Sequence, residues 1–119
     1  MAMQLNVIRA DDEMTELALI GKLDIAGVHA IDMKFHVNTA TRRKPTLVDL
    51  TQLEMITSLG IGLIISCGRS LMRHGPTMVL FNPTPAVEEA MKAIGLGDAV
   101  PIAHTREEAM AILFPDRAR

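Results

Sequence analysis

Aromatic residues are scarce in this chain of 119 residues, which has three Phe, no Trp and no Tyr. Aliphatic side chains must therefore fill the core. The nine Met either add volume to it or form part of an adaptable contact surface. Cysteine is limited to Cys67, so no intramolecular disulfide can form, which fits a reducing cytoplasm. Cys67 falls on an apolar helical stretch and reads as a small buried hydrophobe. Long apolar runs are missing too. The longest is interrupted by Gly62, Ser66 and Gly68 and is too short to span a bilayer, so no membrane insertion is expected. The opening MAMQLNVIRADD has no apolar segment of the kind a signal peptide carries, and a cytoplasmic location is expected. Neither sign of charge dominates: 12 Lys and Arg against 14 Asp and Glu leave a formal net charge of −2. The one basic cluster, Arg42-Arg43-Lys44, reads as a solvated loop. Direct binding of nucleic acid, which wants clustered Lys and Arg, is not expected.

Hydrophobic residues make up 49% of the chain and charged residues 22%, the composition of an ordinary globular protein. The length suits one domain, residues 1–119, with a flexible tail expected from about residue 115. Residues 3–9 and 15–21 both alternate, with Leu5 and Val7, then Leu17 and Leu19, each on one side. They predict a hairpin whose first strand is an edge. Asp24 then precedes a helix with Val28, Ala30, Ile31 and Phe35 at helical spacing, and reads as its N-cap. Pro45 to Asp49 is a strand. A loop follows, and a second helix runs from about Ser58 to Arg73, ended by His74-Gly75-Pro76. Thr77 to Phe81 reads as a buried strand. Thr84 and Pro85 open a third helix, with Val87, Ala90, Met91 and Ile94 inward. Ala99 to Ala103 is a last short strand, and Thr105 with Glu108 forms a capping box for a final helix. The order β-β-α-β-α-β-α-β-α predicts an α/β fold, a mixed sheet with helices packed against it. Binding sites in such sheets lie beyond the carboxyl ends of parallel strands, and Asp24 and Thr57–Ser58 each follow a strand end. They are expected to line one rim. The edge near Leu5 leaves room for a homodimer.

Catalytic and metal-binding patterns are weak. His29 and His36 lie two turns apart rather than at the i, i+4 spacing of a metal pair, and no metal or other cofactor is expected. Ser58 lacks the Gly-x-Ser-x-Gly elbow of a hydrolase. Gly60 and Gly62 are not followed by the third glycine of a dinucleotide loop, and the lysine of a P-loop is absent. No catalytic residue is assigned, and a small enzyme or nucleotide-binding domain is the least supported reading.

The stretch from Leu47 to Ser70 carries more information. A hydroxyl at the first turn of a helix sits where free N–H groups point outward, a favourable place for an added phosphate. By local chemistry alone Ser58 is an ordinary helix cap or a phosphoacceptor. Asp49-Leu50-Thr51 followed by Met55-Ile56-Thr57-Ser58-Leu59-Gly60-Ile61-Gly62 resembles the core motif of STAS domains, the anti-sigma-factor antagonists and their relatives. Gly21-Lys22-Leu23-Asp24 resembles the same family's Gly-Glu-Leu-Asp, and the order of elements matches over nearly the whole chain. In the phosphorylatable antagonists the motif reads Asp-Ser-(Ser/Thr)-Gly-Leu-Gly and its first Ser takes the phosphate. Against it Ser58 stands at the acceptor, Thr57 replaces the Asp, Leu59 replaces the second hydroxyl residue, and Gly60, Ile61 and Gly62 match the tail. The resemblance implies partner switching. The unmodified domain binds an anti-sigma factor with a histidine-kinase-like ATPase fold. That partner phosphorylates Ser58 and lets go, and a PP2C-type phosphatase resets the cycle. Asp24, Thr57, Ser58, Leu59, Gly60 and Gly62 would shape the docking rim. The alternative within the family is a subunit of a signalling scaffold or lipid transporter that binds without being phosphorylated.

Overall fold

The computed structural model describes residues 3–117. The two alternating runs form the expected hairpin: β1 (Gln4–Ala10) pairs antiparallel with β2 (Thr15–Leu23), Leu5 opposite Leu19. Asp11 fixes the turn between them by accepting from the N–H groups of Glu13 and Met14 and from Arg9. These donors, Arg9 first, hold its carboxyl at about 2, below the usual 3.8. The folded pKa is depressed, so what Asp11 adds to stability is complete above about pH 4 and disappears as the pH falls through 2. An NMR titration of the Asp11 carboxyl should show this low midpoint, and Arg9→Ala should raise it.

After β2 come α1 (Ile25–His36), a π-helical turn (Val37–Thr41), β3 (Thr46–Asp49), β4 (Leu53–Ile56) and α2 (Ser58–Arg73). Then follow β5 (Met78–Phe81), α3 (Pro85–Ala93), α4 (Leu96–Ala99), β6 (Ile102–Ala103), α5 (Arg106–Leu113) and a 3-10 turn at Pro115–Arg117. The sheet order is β1-β2-β3-β5-β6, parallel except for β1. β4 also pairs with β2, beyond the end of β3. Thr15–Ala18 take β3, and Gly21–Leu23 take β4. The carboxyl edge of the sheet is therefore stepped, and the ends of β2 and β4 project past those of β3 and β5.

Alternation along the central strands divides the core. Val48 and Leu80 face the larger cluster, built with Val28, Ile31 and Phe35 of α1, Ile61, Ile64 and Leu71 of α2, and Val87 and Met91 of α3. Leu47 and Val79 face the smaller one, with Met14, Ala103 and, from α5, Ala109 and Leu113. α5 is also tied across the sheet. Arg106 donates to both carboxylate oxygens of the buried Glu16 at 3.1 and 2.6 Å, and Arg117 reaches Glu13 at 3.0 Å while stacking on Phe114. No helix of the described residues is long and apolar enough to cross a membrane.

The expected α/β class stands, with several differences of detail. Leu53–Ile56, read as loop, is a strand, because the Asp49–Thr51 turn redirects the chain and Leu53 and Ile56 then bury against the extended end of β2. Gly95, with φ +83°, starts the short α4 in place of a simple stop, so the last strand shrinks to Ile102–Ala103. Ala30 is exposed, and Ile94, expected inward, is 53% exposed, because α3 ends before it turns back to the sheet. Val7 is also exposed on the edge strand. The basic cluster is not wholly solvated: Arg42 donates to Thr15 Oγ1 and to the carbonyl of Asp11, clamping the turn of the hairpin. The tail at Pro115–Arg117 forms the 3-10 turn, and residues 118–119 lie outside the described residues.

Candidate partner-docking site

The projecting ends of β2 and β4 carry the candidate site. β2 turns out of the sheet at Gly21, whose φ of +110° is comfortable only for glycine and coincides with a register shift beside Lys22. Leu23 pairs opposite Ile56. One residue further on each strand stand Asp24 and Thr57, and each caps a helix. Asp24 Oδ1 accepts from Gly27 N at 2.8 Å to start α1. Thr57 Oγ1 accepts from Gly60 N at 3.4 Å to start α2 and donates to the Leu23 carbonyl at 3.0 Å. Thr57 N also donates to that carbonyl, at 3.1 Å. The two helix starts are thus pinned level on one rim, as the sequence predicts.

Gly60 explains why the starts can lie so close. A Cβ there would fall 2.7 Å from Leu23 Cγ and 3.0 Å from the Leu23 carbonyl oxygen, inside van der Waals contact. Gly62 has open space where its Cβ would be and faces outward. Its lack of a side chain leaves the α2 surface low but is not required by the fold.

Ser58 is the first residue of α2, not its cap. The reading of Ser58 as an ordinary cap is corrected by Thr57, whose extended backbone and hydroxyl already serve that role. Ser58 is exposed, and among the described residues its hydroxyl has no protein hydrogen-bond partner. No acidic side chain occupies the first turn of α2. Leu59 is exposed beside it, and Asp24 is half-buried. The structure thus brings together Asp24, Thr57, Ser58, Leu59 and Gly60, with Gly62 one turn along. Sequence reasoning missed the anchoring role of the Leu23 carbonyl, because a main-chain acceptor leaves no trace in residue type. It also missed Ile25, whose exposure is visible only as an apolar residue out of phase with Val28, Ile31 and Phe35.

The assignment of the cap has a direct consequence. Thr57→Ala should destabilise the domain by about 1–2 kcal/mol, losing the cap and the tie to Leu23. Ser58→Ala should stay within about 0.5 kcal/mol of wild type, as a surface change away from such features does. Urea denaturation of the two variants checks the ordering, and the reverse order would return the cap to Ser58.

Elsewhere several titratable groups are committed to structure. His36 bonds Cys67 Sγ through Nδ1 at 3.4 Å and Asp32 through Nε2 at 3.2 Å, joining α1 to α2. Burial pushes the Cys67 thiol up to about 11, so it stays protonated. Glu88 is held below the usual carboxylate range by Lys92 first and then His104. Among the described residues no three His, Cys, Asp or Glu side chains converge as metal ligands.

The mixed six-stranded sheet with its five helices is a fold shared with the anti-sigma factor antagonist SpoIIAA. The chain belongs to the STAS domain family, whose model matches residues 6–109. SpoIIAA in its unphosphorylated form is 27% identical, over 96% of this chain and 97% of its own, with a TM-score of 0.71. The Bacillus cell fate determinant SpoIIAA in its phosphorylated form is 28% identical, over 99% and 100%, with a TM-score of 0.64. An anti-sigma factor antagonist from Mycobacterium paratuberculosis shares the fold at 17% identity, 92% and 94% coverage and a TM-score of 0.78. No curated protein sequence matches the chain.

Proposed function

We propose that this protein is an anti-sigma-factor antagonist, a cytoplasmic interaction switch controlled at Ser58. Unmodified, it binds an anti-sigma factor with a histidine-kinase-like ATPase fold, which frees the sigma factor. The partner's ATP then supplies the phosphoryl group. Ser58 Oγ forms the new P–O bond, its proton passes to a base on the partner, and ADP leaves. A PP2C-type phosphatase restores the hydroxyl by hydrolysis, releasing inorganic phosphate. The nucleotide and metal belong to those partners, and this chain contributes the acceptor and the rim of Asp24, Thr57, Leu59, Gly60 and Gly62.

The observation that carries the reading is the uncommitted, exposed hydroxyl of Ser58 at the first position of α2, with capping delegated to Thr57. A phosphate there adds about −1.5 to −2 charges, which the outward N–H groups of the helix start can accept. The fold survives and the partner surface changes. The test is incubation with each purified anti-sigma-factor kinase of the source organism and ATP. Wild type should gain about 80 Da, the mass of one phosphoryl group, and Ser58→Ala should gain none. Stable binding without any mass gain would favour the second reading, a non-phosphorylated subunit of a signalling scaffold or lipid transporter. Thr57 in place of an Asp and Leu59 in place of a hydroxyl residue support that alternative. Mass gain persisting in Ser58→Ala would move the acceptor elsewhere.

A further inference from the structure

Four large apolar side chains that remain in water share one side of the molecule. Ile25 is 64% exposed, Met33 80% and Val37 51%, spaced four residues apart through His29 along α1 and its π-helical end. Leu59 is 47% exposed at the start of α2. Two helical relations set their arrangement. Ile25 and His36 lie eleven residues, about three turns, apart and so share a side of α1, the side on which His36 meets Cys67 of α2. Met33 points directly away from the buried row Val28, Ile31 and Phe35. The stripe thus begins at the rim, where Ile25 follows Asp24 and Leu59 follows Ser58, and runs about 18 Å along α1 at 1.5 Å per residue.

Exposed apolar residues scattered singly need no explanation, but several aligned along one helix face, here with His29 between Ile25 and Met33, mark a contact surface. The outward face of α2 supplies a contrast: beyond Leu59 it presents Gly62, Ser66, Arg69 and Arg73, with no large apolar residue. Of the remaining exposed cases, Met55 is 39% exposed on β4 opposite Lys22 and stands at the rim itself, whereas Ile8 on the edge strand and Ile94 at the end of α3 lie apart from it. Size also fits. A standard interface covers about 800 Å² of each partner, a disc roughly 30 Å across, so a contact that includes Ser58 and holds its partner stably must extend well beyond the rim. Beyond Met55 and Leu59 on the rim itself, the exposed apolar residues continue down α1. Met33, unbranched and polarizable, adapts to an opposing apolar surface.

We propose that the partner's footprint runs from the Ser58 rim down the outward face of α1 to Met33 and Val37, and that this stripe meets an apolar ridge on the anti-sigma factor and supplies much of the affinity. This rests on the reading of the protein as an anti-sigma-factor antagonist. It also divides labour within the contact: the stripe holds the partner, and Ser58 lies under that partner at the rim, where a phosphate must lose its water and so breaks the fit without the whole surface being remade.

The test is surface plasmon resonance of the full chain against each purified anti-sigma factor of the source organism, immobilised singly. The double variant Met33→Ser, Val37→Ser should bind about tenfold or more weakly, while Ile94→Ser binds as wild type. Both positions are exposed, so thermal melting of the double variant should match wild type, and a folding defect would show there first. Wild-type affinity in the double variant overturns the footprint and leaves the proposed function standing. Failure of wild type to bind any anti-sigma factor overturns both. Sedimentation distinguishes the remaining occupant: a dimeric wild type made monomeric by the double variant, with partner affinity unchanged, would assign the stripe to a second copy of this chain and overturn the proposal.

Discussion

Ser58→Asp is expected to weaken binding to the anti-sigma factor by roughly 100-fold or more, and to leave the domain as stable as wild type or slightly more so. The two effects have opposite signs because they arise on opposite sides of one residue. Toward its own helix, the new carboxylate stands at the first position of α2, where no acidic side chain is present and N–H groups face outward. A negative charge there is worth about 0.3–1 kcal/mol in favour of the fold. Toward the proposed partner, the same charge must be desolvated inside a contact that otherwise meets a neutral hydroxyl. An uncompensated charge in such a place costs about 3–5 kcal/mol, and each 1.4 kcal/mol is tenfold in affinity. The second effect is larger, so release needs no unfolding. Calorimetric titration with the partner, paired with a urea midpoint, reads both quantities on one sample. Ser58→Ala should match wild type in both. If Ser58→Asp binds as tightly as wild type, the rim lies outside the contact or the partner carries a cation opposite residue 58, and the charge switch is then not the mechanism.

The parts of the fold that were legible in sequence are those decided locally. The caps at Asp24, Thr84 and Thr105 were readable because a short oxygen-bearing side chain before an apolar-periodic run has few other uses, and each accepts from the N–H three residues on. The hairpin was readable from its alternation and the central strands from their short apolar runs. β4 was not. Its four residues, Leu53 to Ile56, do not alternate, being buried at both ends and exposed between, and their pairing depends on β2 running five residues past the end of β3, a tertiary fact. The same step explains the error at Ser58. With the preceding segment read as loop, any hydroxyl near the helix start could be its cap. Once Ile56 is paired with Leu23, Thr57 is the residue left with extended backbone, and the capping role falls to it. The rim itself was anticipated, since Asp24 and Thr57–Ser58 both follow strand ends. What holds it together, the Leu23 carbonyl accepting twice from Thr57 and the bare Gly60 pressed against the Leu23 side chain, is backbone chemistry that residue identity does not encode.

Phe35→Ala is expected to destabilise the domain by about 3–5 kcal/mol, the range for truncating a buried Phe. Phe35 heads the largest fully buried side chains, and in a chain with three Phe and no other aromatic it is the one wholly enclosed. The size of the loss depends on whether α1 can settle into the space left behind. Several contacts prevent that. The start of α1 is fixed by Asp24. Near its end Lys34 donates to the Leu5 carbonyl at 2.8 Å, His36 is bonded to Cys67, and Thr39 in the π-helical turn donates to the Phe35 carbonyl at 2.7 Å. A helix held at both ends relaxes little, so the cavity persists and the cost should lie toward the upper end of the range. Total stability of a domain this size is about 5–15 kcal/mol, so the variant should melt some 10–20 °C below wild type and still fold at low temperature. A urea midpoint lowered with an unchanged slope would confirm a cavity effect. A loss under about 2 kcal/mol would mean that the end of α1 slides inward, and that the ties through Lys34 and His36 are weaker than their geometry implies.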